Sequence, residues 1–522
     1  MQISNGQESL FPRHVVLTGS NLTLEQLFSI ARLGATVELS QEAAAKVTKA
    51  RQCIDERLQT GEIFYGINTG FGALSEVHIA PDKLEQLQLN LIRSHACGVG
   101  APLSNDVVRA VLALRIQTMI RGNSGVRIET VELMKEFLNR NITPVVPGKG
   151  SVGACGDLAP LAHLALAFIG EGTVCYQGEI MPALKALQCE KLKPLSPGPK
   201  EGLCLINGTQ VMTAIGLLAC HDSLTLLQTA DLAAAMTLDA TLGTATAFRS
   251  EIQDVRPHPG QAVVAANVRN LLNDDGLRLS HANCEKVQDP YSIRCVPQVH
   301  GAARNAFAHV LSTLLCEANS STDNPLVFAE TNEILSGGNF HGEPVAMVLD
   351  YLCIAMSAIA TISERRIEKL VNPHMSGLPP FLAYDYGLSS GYMIPHVVAA
   401  ALVSENKVLS HPASVDSIPT SAEKEDHVSM GMTSALKLQT VLKNVGYVLT
   451  IELIAASEGL EFKKPIEGGV GVRAAHAWVR KHCKPMLQDR SLSPEFEAIA
   501  AEILTRNHLI IINSALAPAF LV

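Results

Sequence analysis

Aromatic residues are scarce in this chain: they make up 4% of its 522 residues, with one tryptophan. Apolar residues still reach 47%, so the interior has to be built from alanine, leucine, valine and isoleucine. That composition predicts a mainly α protein. No run of about 18 residues is both apolar and uncharged. The richest stretch, residues 224–248, contains Asp231 and Asp239, which predicts a buried helix and no membrane span.

Signals of several other protein classes are missing too. The twelve cysteines form no CxxC pair, which argues against a zinc site or a disulfide framework and fits a reducing compartment. The net charge is −9 without a basic cluster interleaved with aromatics, so we expect no nucleic-acid partner. The N-terminus, MQISNGQESLFPRH, lacks the basic start and apolar core of a signal peptide, which predicts a cytoplasmic protein away from membranes. A positive mean hydropathy predicts apolar surface covered in a homo-oligomer.

The hydrophobic pattern of the chain changes near PLSPGPKEG, residues 194–202, a segment that contains three prolines and two glycines. Long periodic apolar segments follow, and they predict an elongated central bundle of long helices. One of these helices should begin near Pro344 and end at Asn372. We therefore expect three parts: an N-terminal mixed region at 1–202, a long helical bundle at 203–460 and a C-terminal helical cap at 461–522.

The stretch GSVGACGDLAP, residues 150–160, sets Cys155 among small residues that leave the backbone unprotected. One interpretation is a tight turn with a buried thiol. A second is a dinucleotide-binding G-x-G-x-x-G at 148–153, but Pro144 and Pro147 interrupt the strand it needs and no βαβ units follow. A third pairs a Cys155 thiolate with His163, although eight residues of helix would separate the two.

A fourth interpretation is that Ala154, Cys155 and Gly156 modify themselves. If the amide nitrogen of Gly156 reaches the carbonyl carbon of Ala154, ring closure with loss of water gives a five-membered imidazolone. Glycine leaves the attacking nitrogen unshielded, and the small alanine lets the chain fold tightly. Cys155 would then lose hydrogen sulfide and leave an exocyclic methylidene, as a serine would by losing water.

Motifs along essentially the whole chain point to one family; in chain order they are FYGINTGFG, RSHACG, GSVGACGDLAPLAH, LINGTQ, VQDPYSIRC, NSSTDNPL, GGNFHGEP and EDHVSMG. On these motifs the sequence resembles the aromatic amino acid ammonia-lyases that carry the prosthetic group 4-methylidene-imidazol-5-one (MIO). The sequence departs from the pattern in two places. The family triad is normally Ala-Ser-Gly, and Glu423-Lys424 stands where the family usually reads Asn-Gln.

The resemblance implies a fumarase/aspartase-like superfamily architecture, mainly α, with an N-terminal globular region that carries the MIO loop. It implies a carbon–nitrogen lyase that converts L-histidine to trans-urocanate and ammonia, the first step of histidine degradation. MIO would form autocatalytically from Ala154, Cys155 and Gly156, with no metal and no nucleotide. The resemblance further implies a homotetramer whose active sites are each assembled from loops of three subunits.

The resemblance also implies roles for single residues. Tyr65 would be the general base that removes the β-proton. Asn207 would donate a hydrogen bond to the MIO oxygen, where negative charge accumulates. Tyr291 would help to activate the electrophile, and Arg294 would bind the substrate carboxylate with its planar two-donor group.

The choice of substrate ring depends on Glu425, counted with the catalytic residues, and on His95. These two polar groups can hold an imidazole, whereas a phenyl ring would leave the Glu425 carboxylate buried and unpaired. Further pocket residues are expected at Gln288, Asn324 and Phe340. His341 and His427 show no metal-ligand spacing such as HxxxH, so we expect no metal there.

Alternatives remain open. A tyrosine ammonia-lyase or aminomutase of the same family is the nearest, because a histidine can also hydrogen-bond a phenol. If the cysteine triad does not cyclise, the chain is a catalytically silent helical scaffold. An NAD-linked oxidoreductase would instead bind nucleotide tightly.

Overall fold

The protein is built mainly of helices in the computed structural model, which describes residues 11–283, 286–516 and 520, and the mainly α expectation is confirmed. The helices are α1 (Leu24–Arg32), α2 (Gln41–Gln59), α3 (Leu84–His95), α4 (Asn105–Met119), α5 (Ile128–Asn139), α6 (Leu158–Phe168), α7 (Ala183–Cys189), α8 (Glu201–Ile206), α9 (Gln210–Ala240), α10 (Ser250–Asp254), α11 (Pro259–Leu271), α12 (Gly276–Ser280), α13 (Tyr291–Arg294), α14 (Val296–Ala318), α15 (Glu343–Val371), α16 (Pro373–Ser376), α17 (Met393–Leu409), α18 (Gly431–Glu461), α19 (Val470–His482), α20 (Ser493–Ile503) and α21 (Asn507–Ala515).

The strands are short and form small sheets. They are β1 (His14–Leu17), β2 (Thr36–Leu39), β3 (Val99–Pro102), β4 (Thr143–Pro144), β5 (Pro147–Lys149), β6 (Thr173–Tyr176), β7 (Glu179–Pro182), β8 (Leu326–Phe328) and β9 (Glu333–Leu335). Strands β1 and β2 pair in parallel, whereas the pairs β3–β5, β4–β6, β6–β7 and β8–β9 are antiparallel. The glycine motif at 148–153 therefore begins within the short antiparallel strand β5, and the parallel sheet of a dinucleotide-binding fold does not surround it in the described residues.

The chain divides into two compact units. The first unit comprises the described residues up to Leu218 together with Leu311–Asp350 and Pro412–Leu436; the second comprises Ala219–Val310, Tyr351–His411 and the described residues from Lys437 onward. The strands named above all lie in the first unit. Four of the five unit boundaries fall inside long helices, namely α9, α14, α15 and α18, and the fifth lies between His411 and Pro412, after the end of α17. The three-part division at 202 and 460 stays a prediction of domain organisation.

The long helices predicted from the apolar segments are confirmed. Helix α15 begins at Glu343, has Pro344 in its first turn, and ends at Val371 before Asn372. Helices α9, α15 and α18 are long and apolar enough to cross a membrane by length and composition alone. However, 89%, 67% and 83% of their most apolar windows are buried inside the protein, so protein covers most of these apolar faces. Asp231 and Asp239 both lie in α9. The prediction that their apolar stretch forms a buried helix is therefore confirmed.

Buried ion pairs connect the helices of the second unit. The Glu452 carboxylate is fully buried and accepts hydrogen bonds from Arg366 Nε at 2.6 Å and Arg366 Nη2 at 2.8 Å. Thr237 Oγ1 and Ser363 Oγ donate to the same carboxylate at 2.8 and 2.6 Å. Helices α9, α15 and α18 are thus joined around one charge whose lone pairs are satisfied, which is the condition under which burial of a charge is tolerated.

We expect Arg366→Ala to lower the free energy of unfolding by about 3–5 kcal/mol, because it leaves the Glu452 carboxylate buried without its counter-charge. Denaturant-induced unfolding measures the change. The matched control is Arg249→Ala, which removes an arginine from an exposed ion pair with Glu251 and should cost much less, because water screens that pair. Equal losses in the two variants would contradict the prediction.

Candidate active site

A cavity of ≈520 Å³ lies in the first unit and collects five of the predicted site residues: Tyr65, His95, Cys155, Asn207 and Glu425. Much of its remaining wall is apolar, from side chains such as Phe71, Leu74, Val77, Ile79, Leu87 and Leu203. Among the described residues that line it, Glu425 is the one carboxylate. The cavity therefore combines an apolar wall with a few convergent polar groups, as small-molecule sites do.

The loop that carries the triad turns sharply at Gly156, whose φ of +68° lies in the left-handed region that favours glycine. The Asp157 backbone N–H donates to Gly208 O at 2.8 Å. A Cβ at Gly156 would collide with the Gly208 backbone. Both the conformation and the close approach thus require glycine at position 156, and the triad is pressed against the turn before α9.

The carbonyl oxygen of Cys155 receives two hydrogen bonds across this contact. Gly208 N donates at 3.3 Å and Asn207 Nδ2 at 3.4 Å. The predicted ring closure would expel the oxygen of Ala154 and keep that of Cys155, so both donors lie at the oxygen that the ring retains. Asn207 is itself buried, and its Oδ1 has no hydrogen-bond partner within the described structure.

The Cys155 thiol contacts a carboxylate. Its Sγ donates to Glu425 Oε1 at 3.0 Å, while Thr420 Oγ1 donates to the other oxygen, Oε2, at 2.6 Å. Burial, and to a lesser extent the neighbouring Glu425 carboxylate, hold the pKa of Cys155 well above its ordinary range. The group is therefore a neutral thiol. A thiolate nucleophile is therefore disfavoured. The proposed partner His163 instead accepts a hydrogen bond from Gly98 N at its Nε2, 3.0 Å away.

Tyr65 and His95 supply the other titratable side chains of the cavity. Gly72 N donates to the Tyr65 hydroxyl oxygen at 3.1 Å; burial raises the pKa of Tyr65 above its usual value, and the Gly72 hydrogen bond only partly offsets this. His95 Nδ1 lies 2.9 Å from Leu91 O, an atom that can only accept, so Nδ1 carries the hydrogen and Nε2 remains an acceptor. Burial lowers the pKa of His95, which favours the neutral ring.

Asp157, which the sequence alone did not single out, connects the triad to α9 by hydrogen bonds. Its buried Oδ2 accepts hydrogen bonds from Val211 N and Met212 N, both at 2.9 Å, in the first turn of that helix. Ser151 Oγ donates to Oδ1 at 3.1 Å. Burial nevertheless raises the pKa of Asp157 to about 6. The available signal was an acid directly after the small-residue triad and directly before a helix.

Three predicted residues belong to the second unit. Tyr291 is exposed, and the Arg294 guanidinium carbon lies 4.5 Å from the centre of its ring. Arg294 Nε donates to Asp289 O at 3.1 Å. Gln288 lines a separate cavity of ≈680 Å³ within that unit. None of these three residues is among those that line the triad cavity, and their roles stay predictions.

Two more predicted residues lie in the first unit without lining the cavity. Asn324 is buried and accepts a hydrogen bond from Gly337 N at 2.8 Å; Phe340 is partly buried in the loop before α15. Glu423 and Lys424, which depart from the family pattern, are exposed and also lie outside the cavity lining. That departure therefore leaves the wall of the cavity unchanged.

His341, Glu343 and His427 place one potential ligand atom each within 4.8 Å of the others. Backbone groups already occupy both ring nitrogens of His341: Nε2 is 3.1 Å from His427 O, and Nδ1 accepts from Glu343 N at 3.3 Å. The two imidazoles stack with ring centroids 5.7 Å apart. We infer that the cluster joins two loops, and the absence of a metal stays a prediction.

Comparison with known proteins identifies related chains. The family described as "Aromatic amino acid lyase" matches residues 22–481. The histidine ammonia-lyase of Myxococcus xanthus strain DK1622 is 52% identical over 504 residues, covering 96% of this chain and 99% of that protein. The crystal structure of histidine ammonia-lyase from Trypanosoma cruzi has a TM-score of 0.89 at 42% identity, covering 96% of this chain and 95% of that one. Tyrosine aminomutase from Streptomyces globisporus has a TM-score of 0.91 at 35% identity, covering 96% and 99%.

The raised pKa of Asp157 predicts a pH-dependent stability. The native chain holds this proton more tightly than the unfolded one, so it binds more protons between the ordinary value of 3.8 and about 6, and raising the pH through that window lowers stability. Relative to Asp157→Asn, the wild-type free energy of unfolding should fall by about 2 kcal/mol between about pH 4 and pH 7. Urea unfolding of both chains across that range, with the exposed Asp82→Asn as a charge control, measures it. Parallel profiles for the wild type and Asp157→Asn would contradict it.

Proposed function

The chain belongs to the aromatic amino acid lyase family, and from this premise we propose that it eliminates ammonia from L-histidine to give trans-urocanate. Its fold is the mainly helical, fumarase/aspartase-like one of that family. The expected family and enzyme class are confirmed by relatives named histidine ammonia-lyase at about half identity over nearly the whole chain. The observation that carries the substrate assignment is a single carboxylate, Glu425, facing an otherwise mostly apolar cavity beside the triad.

Members of this family depend on MIO, and we infer that Ala154, Cys155 and Gly156 form it here. The Gly156 nitrogen bonds to the carbonyl carbon of Ala154, whose oxygen leaves as water with the amide hydrogens of Gly156 and Cys155, and a C=N bond to the Cys155 nitrogen replaces the lost carbonyl. Cys155 then loses its α-hydrogen and its sulfur together as hydrogen sulfide, and the bonding electrons of the broken Cα–H bond form the Cα=Cβ double bond. Three observations fit such a ring: the left-handed Gly156 against Gly208, the two donors on the Cys155 oxygen, and the small buried Ala154.

MIO supplies an electrophilic alkene that turns the substrate amine into a leaving group. Around it, Asn207 and the Gly208 N–H stabilise negative charge on the retained oxygen. Tyr65 removes the β-proton and Glu425 holds the imidazole, with the Nε2 of His95 as a second polar partner. Arg294 binds the substrate carboxylate, Tyr291 assists the electrophile, and the remaining pocket residues are Gln288, Asn324 and Phe340.

The raised pKa of Tyr65 bears on its role as a base. Burial keeps the phenol protonated in the chain with an intact thiol, and the neighbouring Cys155 and Glu425 add to the shift. The Gly72 N–H donates to the phenol oxygen and favours the phenolate, which partly offsets this shift. That hydrogen bond supports Tyr65 as the base that removes the β-proton.

The assembly and setting follow from the same premise. We propose a cytoplasmic homotetramer in which loops of neighbouring subunits bring Gln288, Tyr291 and Arg294 to the triad cavity. This accounts for catalytic residues that lie outside the cavity lined by one chain. It needs no metal, nucleotide, nucleic acid or membrane.

The purified protein should convert L-histidine to a product with the ultraviolet absorption of a conjugated imidazole acrylate. Phenylalanine should show a kcat/KM lower by about 10²-fold or more, because its ring leaves Glu425 unpaired. Steady-state assays with histidine, tyrosine and phenylalanine give the comparison. Turnover of tyrosine without turnover of histidine would reassign the substrate, and conversion of tyrosine to a β-amino acid would indicate an aminomutase.

The cysteine triad should leave a mass signature. Intact-mass measurement of the wild type should show loss of one water and one hydrogen sulfide per chain, and Cys155→Ser should show loss of two waters and keep activity. Cys155→Ala should be inactive because no leaving group remains on its β-carbon. The buried free thiol of Cys220 offers a control, since Cys220→Ala should mature and turn over histidine. An active wild type with an unmodified mass would exclude the proposed group, and an inactive unmodified one would indicate a silent scaffold.

A further inference from the structure

The loop that presents Glu425 is closed by Thr420. Thr420 N donates to Glu425 O at 2.9 Å, and Glu425 N donates to Thr420 O at 3.3 Å. Between them, Ser421, Ala422 and Glu423 have φ values of +52°, +51° and +65°, in the left-handed region that non-glycine residues avoid. The reciprocal backbone pair therefore holds shut a turn that is conformationally unfavourable by itself.

The side chains of the same two residues meet as well. An ionised carboxylate only accepts hydrogen bonds, so the Thr420 hydroxyl is the donor in its 2.6 Å contact with Glu425 Oε2. The Cys155 thiol uses the other oxygen, Oε1, at 3.0 Å. Each carboxylate oxygen thus has one partner, and the two partners lie on different loops.

Thr420 stands behind the carboxylate and not in the cavity. Ser421 and Glu425 line the cavity, whereas Thr420 does not. The wall beyond Glu425 is largely apolar and holds no second carboxylate among the described lining residues, so the direction of this one charge decides where an imidazole N–H can bind. A long glutamate side chain without a second contact would sample several rotamers.

We propose that Thr420 is a positioning residue that orients Glu425 through Oε2 and reserves Oε1 for the imidazole of the substrate. This inference rests on the proposed function: when the sulfur leaves, Oε1 loses its thiol partner and becomes the free acceptor, while Thr420 keeps the carboxylate in place. Thr420 itself touches neither the substrate nor the triad. The backbone hydrogen bonds between Thr420 and Glu425 close the loop, and the Thr420 hydroxyl orients the Glu425 carboxylate. Substitution of the side chain can therefore separate these two contributions.

The decisive comparison is Thr420→Val, which keeps the shape and the backbone pair but deletes the donor, against Thr420→Ser, which keeps the donor. Thr420→Val should raise KM for histidine and the inhibition constant of trans-urocanate about tenfold, the usual effect of losing one hydrogen bond to a charged group. Inhibition by trans-cinnamate, which offers a phenyl ring, should stay unchanged, and Thr420→Ser should remain within about twofold of the wild type.

A matched control comes from the hairpin formed by β8 and β9. Thr331 Oγ1 donates to Glu333 Oε2 at the same 2.6 Å on an exposed hairpin, so Thr331→Val deletes an equivalent hydrogen bond away from the cavity and should change neither inhibition constant. Intact mass of each variant reports maturation independently of activity. Both threonine variants at 420 should lose water and hydrogen sulfide like the wild type.

Equal weakening of urocanate and cinnamate inhibition, no weakening in Thr420→Val, or no recovery in Thr420→Ser would each overturn the inference. If Thr420→Val does not fold, Thr420→Ala is assayed in its place, and failure of both to fold would show a structural role and overturn it too. A wild type that neither matures nor turns over histidine would instead overturn the proposed function. The two failures are therefore distinguishable.

Discussion

The contact between Gly156 and Gly208 is the constraint on which the rest of the site depends. The two peptide segments can approach this closely because position 156 carries no Cβ, which would collide with the Gly208 backbone. The approach turns the Cys155 carbonyl towards Asn207 and the Gly208 N–H, and it places Asp157 at the first turn of α9. This one steric condition thereby sets the curvature of the triad, the hydrogen-bond donors on the Cys155 carbonyl oxygen and the attachment of the triad to α9.

The helices supply the rigidity that such a strained loop needs. The triad is followed directly by α6, the Asn207–Gly208 turn is followed by α9, and the Glu425 loop leads into α18. The triad and the Asn207–Gly208 turn therefore stand at helix starts, where backbone N–H groups are still without intrahelical partners and can bind carboxylates, as Val211 and Met212 do with Asp157. Side chains held in this way need little further ordering when a substrate binds.

Sequence patterns predicted the helices well because helix burial repeats along the chain. The limits of α15 could be expected from Pro344 and Asn372, and the burial of α9 from Asp231 and Asp239 in an apolar run. The motifs also predicted that Tyr65, His95, Cys155, Asn207 and Glu425 belong to one site, and these five residues line one cavity. Their roles remain inferences. What the pattern could not show were contacts between distant loops: the Thr420 hydroxyl and the Asp157 carboxylate are ordinary loop and helix-start residues until the fold gives them partners.

The same reasoning explains why cysteine can stand where the family normally has serine. The elimination needs a group on the β-carbon that can depart with its electrons, and hydrogen sulfide departs more readily than water. The hazard of cysteine is its nucleophilicity, which belongs to the thiolate. Here burial and the neighbouring Glu425 keep the thiol neutral, so the environment suppresses the competing chemistry while leaving the carbon–sulfur bond available. In the proposed site, loss of the sulfur would free the same carboxylate to receive the imidazole, so one charge would serve the immature and the mature site in succession.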